Sequence, residues 1–378
     1  MSRSNQNKKL LILLDKDFVG GAEVNYRYIL PELYKRKYEA ILLSDGEKNV
    51  KRYFEGFGLN VTVLPYLRTY KPFTKKGKIS YKSIALTYHA LLKNKKMLSK
   101  IVNHYKPQAV ISNSMVSHWL LALWSSKCKE KRSVATVAHL QDIINRSKAF
   151  GLYGYGLDWI ASKVDKIISI SDSVTGTLPE KCRKKVRKLY NPVINPPLLW
   201  EKKQNDVLRV GMFARYIPWK GHRDLLKIAG YCCDRNIEFS CFGNVSDEDT
   251  DYYEELQAVV QTLSNRGKVE LNRFTADVLK EMRNCDLILH LSVFPEPFGR
   301  ILIEANSCKV PIFAYKGGAA EELFRELGLA GRMFDSGDWE SVARAILSFD
   351  RSEYEFPDLS MLHPSKYVER FLSVITES

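Results

Sequence analysis

Two glutamates eight residues apart stand in the segment that is best suited to bind a ligand. Glu296 lies in a Pro-Glu-Pro-Phe-Gly loop, and Glu304 lies in the helix pattern that follows. The loop comes after the strand pattern Leu287–Leu291, and doubly wound sheets bind ligands at the carboxyl ends of their strands. The N–H groups of Phe298 to Ile301 at the helix start are suited to bind phosphate. The two carboxylates then either accept hydrogen bonds from hydroxyl groups beside a diphosphate or are solvated groups at a helix end.

Two cations form a second candidate element. Arg215 and Lys220 follow the strand pattern Leu208–Phe213 and precede the helix pattern His222–Cys233. Their place at the carboxyl end of a strand would let them neutralise the charge of a diphosphate. Because loops between strands and helices often carry basic residues, the pair indicates a diphosphate site mainly in combination with the Glu296 loop.

Two further features stand at strand ends in the first half of the chain. Gly20 and Gly21 follow the first strand pattern, and paired glycines let the backbone approach a ligand closely at a helix N-terminus. His139 ends the strand pattern Val134–His139. A single histidine at such a place is either a packed residue or a functional one.

The elements that must position these residues alternate regularly. Short apolar runs rich in β-branched residues are separated by longer amphipathic stretches, which predicts doubly wound parallel sheets covered by helices on both faces. The strand patterns are Leu10–Leu14, Ala40–Leu43, Val61–Leu64, Ala109–Ser112, Val134–His139, Lys166–Ile170, Val186–Leu189, Leu208–Phe213, Phe239–Phe242, Lys268–Leu271, Leu287–Leu291, Pro311–Ala314 and Arg332–Phe334. Helix patterns include Glu23–Lys35, Ser117–Lys127, Asp338–Ser348 and Pro364–Ile375.

A proline-rich break divides the alternation into two halves. The residues from Asn191 to Pro197 cannot continue a helix or a central strand. A length of 378 residues, at roughly 150 residues per domain, also predicts two domains. We therefore expect one domain over residues 1–195, a second over 196–363, and a C-terminal helix over 364–378 that could pack back on the first domain.

The charge differs between the two halves. Residues 1–200 contain 36 basic and 14 acidic side chains, whereas residues 201–378 contain 22 basic and 29 acidic ones. Residues 51–100 alone contain 12 basic side chains and one acidic one, Glu55. The first half is therefore predicted to bind an anionic partner.

Several classes of protein are excluded or disfavoured. The sequence has no apolar run long enough for a membrane span and no visible secretory signal. It has no phosphate-binding P-loop motif and no serine-hydrolase motif. Seven cysteines without a Cys-x-x-Cys pair indicate neither a disulfide framework nor a zinc site, and they favour the cytoplasm.

Taken together, these motifs resemble those of the retaining glycosyltransferases of family 4. The matching motifs, in chain order, are Gly-Gly-x-Glu at Gly20–Glu23, the pair Arg215 and Lys220-Gly221, the Glu-x7-Glu element from Glu296 to Glu304, and Gly-Gly-Ala-Ala-Glu at Gly317–Glu321. The resemblance covers essentially the whole chain. It implies an α/β protein of the GT-B fold, with two Rossmann-like, doubly wound parallel-sheet domains facing a cleft and a C-terminal helix.

The resemblance also implies roles for single residues. Glu296 and His139 would be catalytic, with Glu296 holding the transferred sugar and His139 near its hydroxyl groups. The residues implied to bind substrates are Gly20, Gly21, Arg215, Lys220, Phe298, Gly299, Arg300 and Glu304. Arg215 and Lys220 would contact the donor diphosphate, and Glu304 the ribose. The second domain would bind a UDP- or GDP-linked sugar and the first the acceptor, and no cofactor or metal is expected.

Aromatic and basic side chains are interleaved in the stretch from Tyr66 to Lys100. Such a mixture suits the surface of an anionic bilayer, and it would also suit single-stranded nucleic acid or a solvated basic face. Within the glycosyltransferase interpretation we expect residues 51–100 to dock at the inner face of the membrane, and we expect no nucleic acid.

The resulting hypothesis is a glycosyltransferase that moves a hexose-type sugar to a hydroxyl of a glycan or lipid-linked acceptor. Retention of configuration is implied by the family, and synthesis of cell-surface polysaccharide or glycolipid is the expected setting. Two alternatives remain. One is a nucleotide-sugar epimerase of the same fold, and the other is a non-catalytic module that binds anionic membrane or nucleic acid.

Overall fold

The structure is a computed structural model that describes residues 8–14, 21–66, 81–126, 133–146, 152–194, 207–263, 268–275 and 277–377. The chain divides into two units. The first comprises Met1–Pro192 together with Pro364–Ser378, and the second comprises Val193–His363. No helix among the described residues combines the length and apolar character that crossing a membrane requires.

The apolar runs of the first unit form one parallel sheet. Its strands are β1 (Lys8–Leu13), β2 (Tyr38–Ser44), β3 (Thr62–Pro65), β4 (Ala109–Ser112), β5 (Ala135–Leu140), β6 (Lys166–Ser169) and β7 (Val186–Lys188). They lie in the order β3-β2-β1-β4-β5-β6-β7, and the paired strands are parallel. Successive side chains of β1, an interior strand, point to opposite faces of the sheet, and both faces are covered. Four consecutive residues of β1 are therefore completely buried: Leu10, Leu11, Ile12 and Leu13.

Helices connect the strands of this sheet. They are α1 (Gly21–Lys35), α2 (Glu47–Glu55), α3 (Tyr81–Tyr105), α4 (Met115–Ser125), α5 (Leu152–Lys163), α6 (Asp172–Thr175) and α7 (Glu180–Arg183). Two starts follow from small polar residues. Ser114 and Ser117 form a reciprocal capping box at α4, and Ser171 caps α6 by accepting a hydrogen bond from the Val174 N–H at 3.1 Å.

The second unit repeats this architecture on a smaller sheet. Its strands are β8 (Leu208–Phe213), β9 (Ile237–Phe242), β10 (Val269–Asn272), β11 (Leu287–His290), β12 (Ile312–Tyr315) and β13 (Gly331–Phe334). Their order is β10-β9-β8-β11-β12-β13, all paired in parallel. β8 and β11 are therefore neighbours, with Leu289 opposite Met212, and the loops that follow these two strands leave the same edge of the sheet side by side.

The helices of the second unit cover both faces of its sheet. They are α8 (His222–Tyr231), α9 (Thr250–Thr262), α10 (Val278–Arg283), α11 (Arg300–Ser307), α12 (Ala320–Leu327) and α13 (Trp339–Leu347). Buried side chains of α8, α9 and α13 form one apolar cluster with the strands, including Leu225, Leu256 and Ile346.

The last helix, α14 (Pro364–Thr376), belongs to the first unit. Its residues Tyr367, Phe371 and Val374 are buried in the same cluster as Ile29 and Leu33 of α1. The attachment also includes a hydrogen bond from the Arg36 guanidinium to the Ser365 carbonyl at 3.1 Å.

The predicted alternation of strands and helices is confirmed, and every strand pattern corresponds to a strand of the structure. Among the helices of the first unit for which no pattern was named, the longest is α3, over residues 81–105. The buried positions of α3 are Ala90, Asn94, Leu98 and Val102. Ala90 is small, Asn94 is polar, and lysines lie between these positions in the sequence. The apolar periodicity that predicts a helix is therefore weak over these residues.

Candidate functional site

The loops after β8 and β11 are held together by a close backbone approach. Gly221 has φ +85°, and a Cβ atom there would lie 2.1 Å from the Leu291 carbonyl oxygen. A hydrogen bond at 2.9 Å from the Val293 N–H to the Trp219 carbonyl joins the same loops. Only glycine fits such a position without strain, so the Lys220-Gly221 pair brings the lysine against the loop that follows β11.

Glu296 is the centre of a buried polar cluster at this junction. Its Oε1 atom lies 2.5 Å from Lys220 Nζ and 3.3 Å from His290 Nε2, and it also accepts a hydrogen bond from the Ser292 hydroxyl. The side chains of Lys220 and Glu296 are only 15% and 16% exposed. Glu296 and Lys220, predicted separately as sugar and diphosphate ligands, are thus brought into direct contact.

The surroundings of Glu296 keep its carboxyl group ionised. Burial alone would raise its pKa, but nearby His290 and Lys220, and the hydrogen bonds from Lys220 and Ser292, outweigh burial, and the pKa is lowered. Burial lowers the pKa of His290, although Glu296 opposes this shift. A neutral imidazole with its proton on Nε2 would donate to Glu296, so the cluster combines one carboxylate, one ammonium and two neutral donors.

The Gly-Gly-Ala sequence that the resemblance singled out packs directly on the Glu296 backbone. The Ala319 N–H donates to the Glu296 carbonyl at 3.0 Å. Gly318 has φ +61°, and a Cβ atom there would lie 2.2 Å from the same oxygen. The glycine therefore serves to let the loop after β12 support the peptide that carries Glu296.

The start of α11 follows the loop immediately. Gly299 precedes the helix in the left-handed region with φ +72°, and the side chain of Phe298 is buried at 4% exposure. Glu304 accepts two hydrogen bonds from the Arg300 guanidinium, at 2.8 and 3.1 Å, one helical turn away. Arg300 and Glu304, both expected to bind substrate, thus form an ion pair with each other whose side chains are only 18% and 14% exposed, and the side chain of Phe298 is buried.

Arg215 points to a different partner. Its guanidinium lies 3.4 Å from the Asp249 carboxylate, and its side chain is 54% exposed. Asp249 in turn accepts a hydrogen bond from Ser246. The second predicted cation therefore lies in the loop after β8 as expected, but it is paired with an acidic residue that the sequence reading did not associate with it.

The remaining predicted residues belong to the first unit. Gly21 is the first residue of α1, whereas Gly20 lies outside the described residues. His139 near the end of β5 is completely buried, its ring 6.3 Å from that of Phe371 and its Nδ1 atom 3.5 Å from Gln141 Nε2. Burial lowers the pKa of His139 to about 3, so its ring is neutral at ordinary pH.

Sequence reasoning missed His290 and Ser292 as partners of Glu296. Both are polar residues in or directly after the apolar run that became β11. That interruption, placed just before the candidate loop, was the available signal. Asp249 was not associated with Arg215 in the sequence, because the two residues stand 34 positions apart in the chain.

Known proteins are similar to this chain in sequence and in structure. Residues 194–358, nearly the whole second unit, match the family described as Glycosyl transferases group 1. The chain is 24% identical over 348 residues to an uncharacterized 42.6 kDa protein in the cps region of Klebsiella pneumoniae, covering 86% of this chain and 88% of that protein. It is also 24% identical over 285 residues to the uncharacterized glycosyltransferase MJ1178 of Methanocaldococcus jannaschii, covering 72% and 77% of the two chains.

Solved structures match the whole described architecture. Anabaena Alr3699/HepE in complex with UDP has a TM-score of 0.71 at 20% identity, covering 98% of this chain and 96% of that chain. The same protein in complex with UDP-glucose has a TM-score of 0.70. Neither comparison favours an epimerase or a non-catalytic module. The fold is therefore GT-B, and the family match of the second unit, with the name of the archaeal relative, supports a glycosyltransferase.

Proposed function

We propose that this chain transfers a hexose-type sugar from a UDP- or GDP-linked donor to a hydroxyl of a glycan or lipid-linked acceptor. The observation that carries the proposal is the buried Glu296–Lys220 pair at the adjoining carboxyl ends of β8 and β11. It lies inside the segment that matches the glycosyltransferase family, at the edge of the sheet where doubly wound folds bind ligands.

The pair has the groups that a sugar diphosphate needs. Lys220 provides a mobile ammonium for a phosphate oxygen, because its four-carbon stem lets the charge move while the backbone stays in place. The three contacts of Glu296 all reach Oε1. Among the described residues no donor pairs with Oε2, so this oxygen is the one we assign to a sugar hydroxyl.

The leaving group would be stabilised by the start of α11 and by the two cations. The N–H groups of the first helical turn bind phosphate well, and in α11 that turn begins at Arg300. With Lys220 they would neutralise the charge that develops on the nucleoside diphosphate, and Arg215 would contribute after leaving Asp249. We propose that these groups suffice without a metal ion.

The roles of the first unit rest on the resemblance. We assign the acceptor to this unit, with Gly20 and Gly21 near the phosphates and His139 near the transferred sugar, and we propose retention of configuration. The relative in a cps region supports cell-surface polysaccharide synthesis as the setting. The cysteine content favours a cytoplasmic enzyme.

Thermal unfolding with UDP, GDP, ADP and NAD tests the donor site, each without and then with magnesium. A ligand at 100 times its Kd adds about 2.7 kcal/mol, which raises Tm by roughly 5–10 °C for a unit of this size. We expect one nucleoside diphosphate to give this shift with or without magnesium. A shift with none of the four would overturn the proposal.

Variants then connect the shift to the site. Lys220→Ala should abolish it, whereas Lys316→Ala, which removes an exposed lysine paired with Asp335 in the same unit, should leave it intact. Glu296→Gln should retain binding of the nucleoside diphosphate but lower sugar transfer by at least about tenfold, since one lost charged contact to the transition state is worth more than about 1.4 kcal/mol. Normal transfer by Glu296→Gln would contradict the assigned role.

A further inference from the structure

The helix α3 carries an exposed apolar stripe on its outer surface. Tyr81, Ile84, Tyr88 and Leu92 are 79%, 43%, 61% and 41% exposed. At about 100° of rotation per residue, these four side chains fall within about 80° of the helix circumference. Large apolar residues clustered in this way on a surface mark an interaction site more often than single exposed residues do.

Lysines flank one edge of the stripe. Lys82, Lys93, Lys96 and Lys100 lie on adjoining positions of the helix wheel and are exposed. Among the described residues none of them has a carboxylate within ion-pair distance. The sequence contains no aspartate or glutamate from Gly56 to Lys129, so the field around the stripe is positive over a long stretch of chain.

The stripe is not needed to hold α3 in the first unit. The helix packs through a different face, whose buried residues are Ala90, Asn94, Leu98 and Val102. A hydrogen bond of 3.2 Å from the Trp124 indole to the Ser99 hydroxyl further ties α3 to α4. Within the part of the chain that the structure describes, the apolar side chains of the outer surface are therefore available to a partner.

We propose that this outer face of α3, formed by the stripe and its lysine flank, binds the surface of an anionic bilayer. Tyrosine rings sit well at the level of lipid headgroups, and aliphatic side chains such as Ile84 and Leu92 enter the acyl boundary. The lysines supply attraction to anionic headgroups. Single-stranded nucleic acid is disfavoured because bases stack on aromatic rings and gain little from exposed isoleucine and leucine.

Flotation with vesicles tests the proposal on the full chain. The probes are vesicles of phosphatidylcholine alone and of an equal mixture with phosphatidylglycerol. We expect binding to the mixed vesicles only. Each lysine near an anionic surface contributes about a fivefold factor in partitioning, so Lys93→Gln combined with Lys96→Gln should weaken binding about 25-fold.

Two matched controls isolate the face. Lys181→Gln with Lys184→Gln removes the same charge from exposed lysines elsewhere in the first unit, and it should weaken binding much less. Tyr155→Ser replaces a tyrosine that is 75% exposed on α5 and should have little effect, whereas Tyr88→Ser should weaken binding severalfold. Circular dichroism checks that each variant is folded.

Three outcomes would overturn the proposal. The first is equal binding to both kinds of vesicle, and the second is an equal loss of vesicle binding for the two lysine pairs. The third is that the α3 variants lose binding to a single-stranded oligonucleotide while they keep binding to vesicles. The measurement requires no turnover. Its result is therefore distinguishable from a failure of the proposed transferase activity.

Discussion

Removing the ammonium group of Lys220 should destabilise the second unit by leaving the Glu296 carboxylate buried without its cation. Breaking a buried ion pair from one side costs about 3–5 kcal/mol. Since the two side chains are still 15% and 16% exposed, we expect the lower end, about 3 kcal/mol for Lys220→Ala. For a unit of this size that lowers Tm by roughly 6–12 °C. Differential scanning calorimetry at about pH 8 measures the change.

The same variant should be less destabilised in acid. Lys220 lowers the pKa of both His290 and Glu296, so its loss raises both pKa values in the folded state. The folded variant then binds protons more readily than the native protein does. Stability relative to the native protein therefore improves as pH falls, and the cost of Lys220→Ala should shrink between about pH 8 and about pH 5.5.

A double variant separates stability from binding. Lys220→Met with Glu296→Gln removes both charges while keeping similar volumes, and it should recover most of the lost stability. It should not recover binding of the nucleoside diphosphate. Lys316→Ala, in an exposed ion pair of the same unit, should leave Tm unchanged. The reasoning is refuted if Lys220→Ala costs the same at both pH values and the double variant is no more stable than the single one.

Two further predictions concern a backbone contact and the buried histidines. Gly318→Ala and Gly328→Ala both place a side chain at a φ near +60°, but only at residue 318 would Cβ meet another group, the Glu296 backbone. Gly328→Ala should lower the free energy of unfolding by about 1–2 kcal/mol. Gly318→Ala should lower it clearly more and should also abolish donor binding. Equal losses for the two variants in urea unfolding would contradict this. Burial lowers the pKa of His118 and of His139 to about 3, against about 6.5 in the unfolded chain. Each histidine should therefore lower the free energy of unfolding of the first unit by about 2 kcal/mol at about pH 5. Equal urea midpoints at neutral pH and at pH 5 would contradict this.

The fold was predictable because its strands are apolar on both faces. A run such as Leu10–Leu14 contains no polar residue that could face solvent, and it therefore predicts a buried strand independently of its neighbours. The helix α3 was not predictable in the same way. Its buried face includes Asn94 and Ala90, and its large apolar residues Tyr88 and Leu92 are on the exposed side.

The candidate site was predictable residue by residue but not as a set of contacts. Glu296 and Lys220 each stand after a strand, and the sequence places both at carboxyl ends. Their contact joins residues 76 positions apart, and it exists because β8 and β11 are neighbours in the sheet. The order of the strands depends on how all the crossover helices pack, and no local sequence pattern predicts this order. The partners His290 and Ser292, by contrast, lie six and four residues before Glu296 in the same chain segment.

The contacts also change how the charges of the site must be understood. The sequence suggested independent cations and carboxylates, each waiting for its part of a sugar diphosphate. In the structure Lys220 pairs with Glu296, Arg300 with Glu304, and Arg215 with Asp249. A diphosphate would therefore exchange one ionic partner for another, and the net gain is the difference between two interactions rather than the full attraction to a free cation. Specificity then depends on which donors can give hydrogen bonds to the released carboxylates. The hydroxyl groups of a sugar placed beside the diphosphate are such donors.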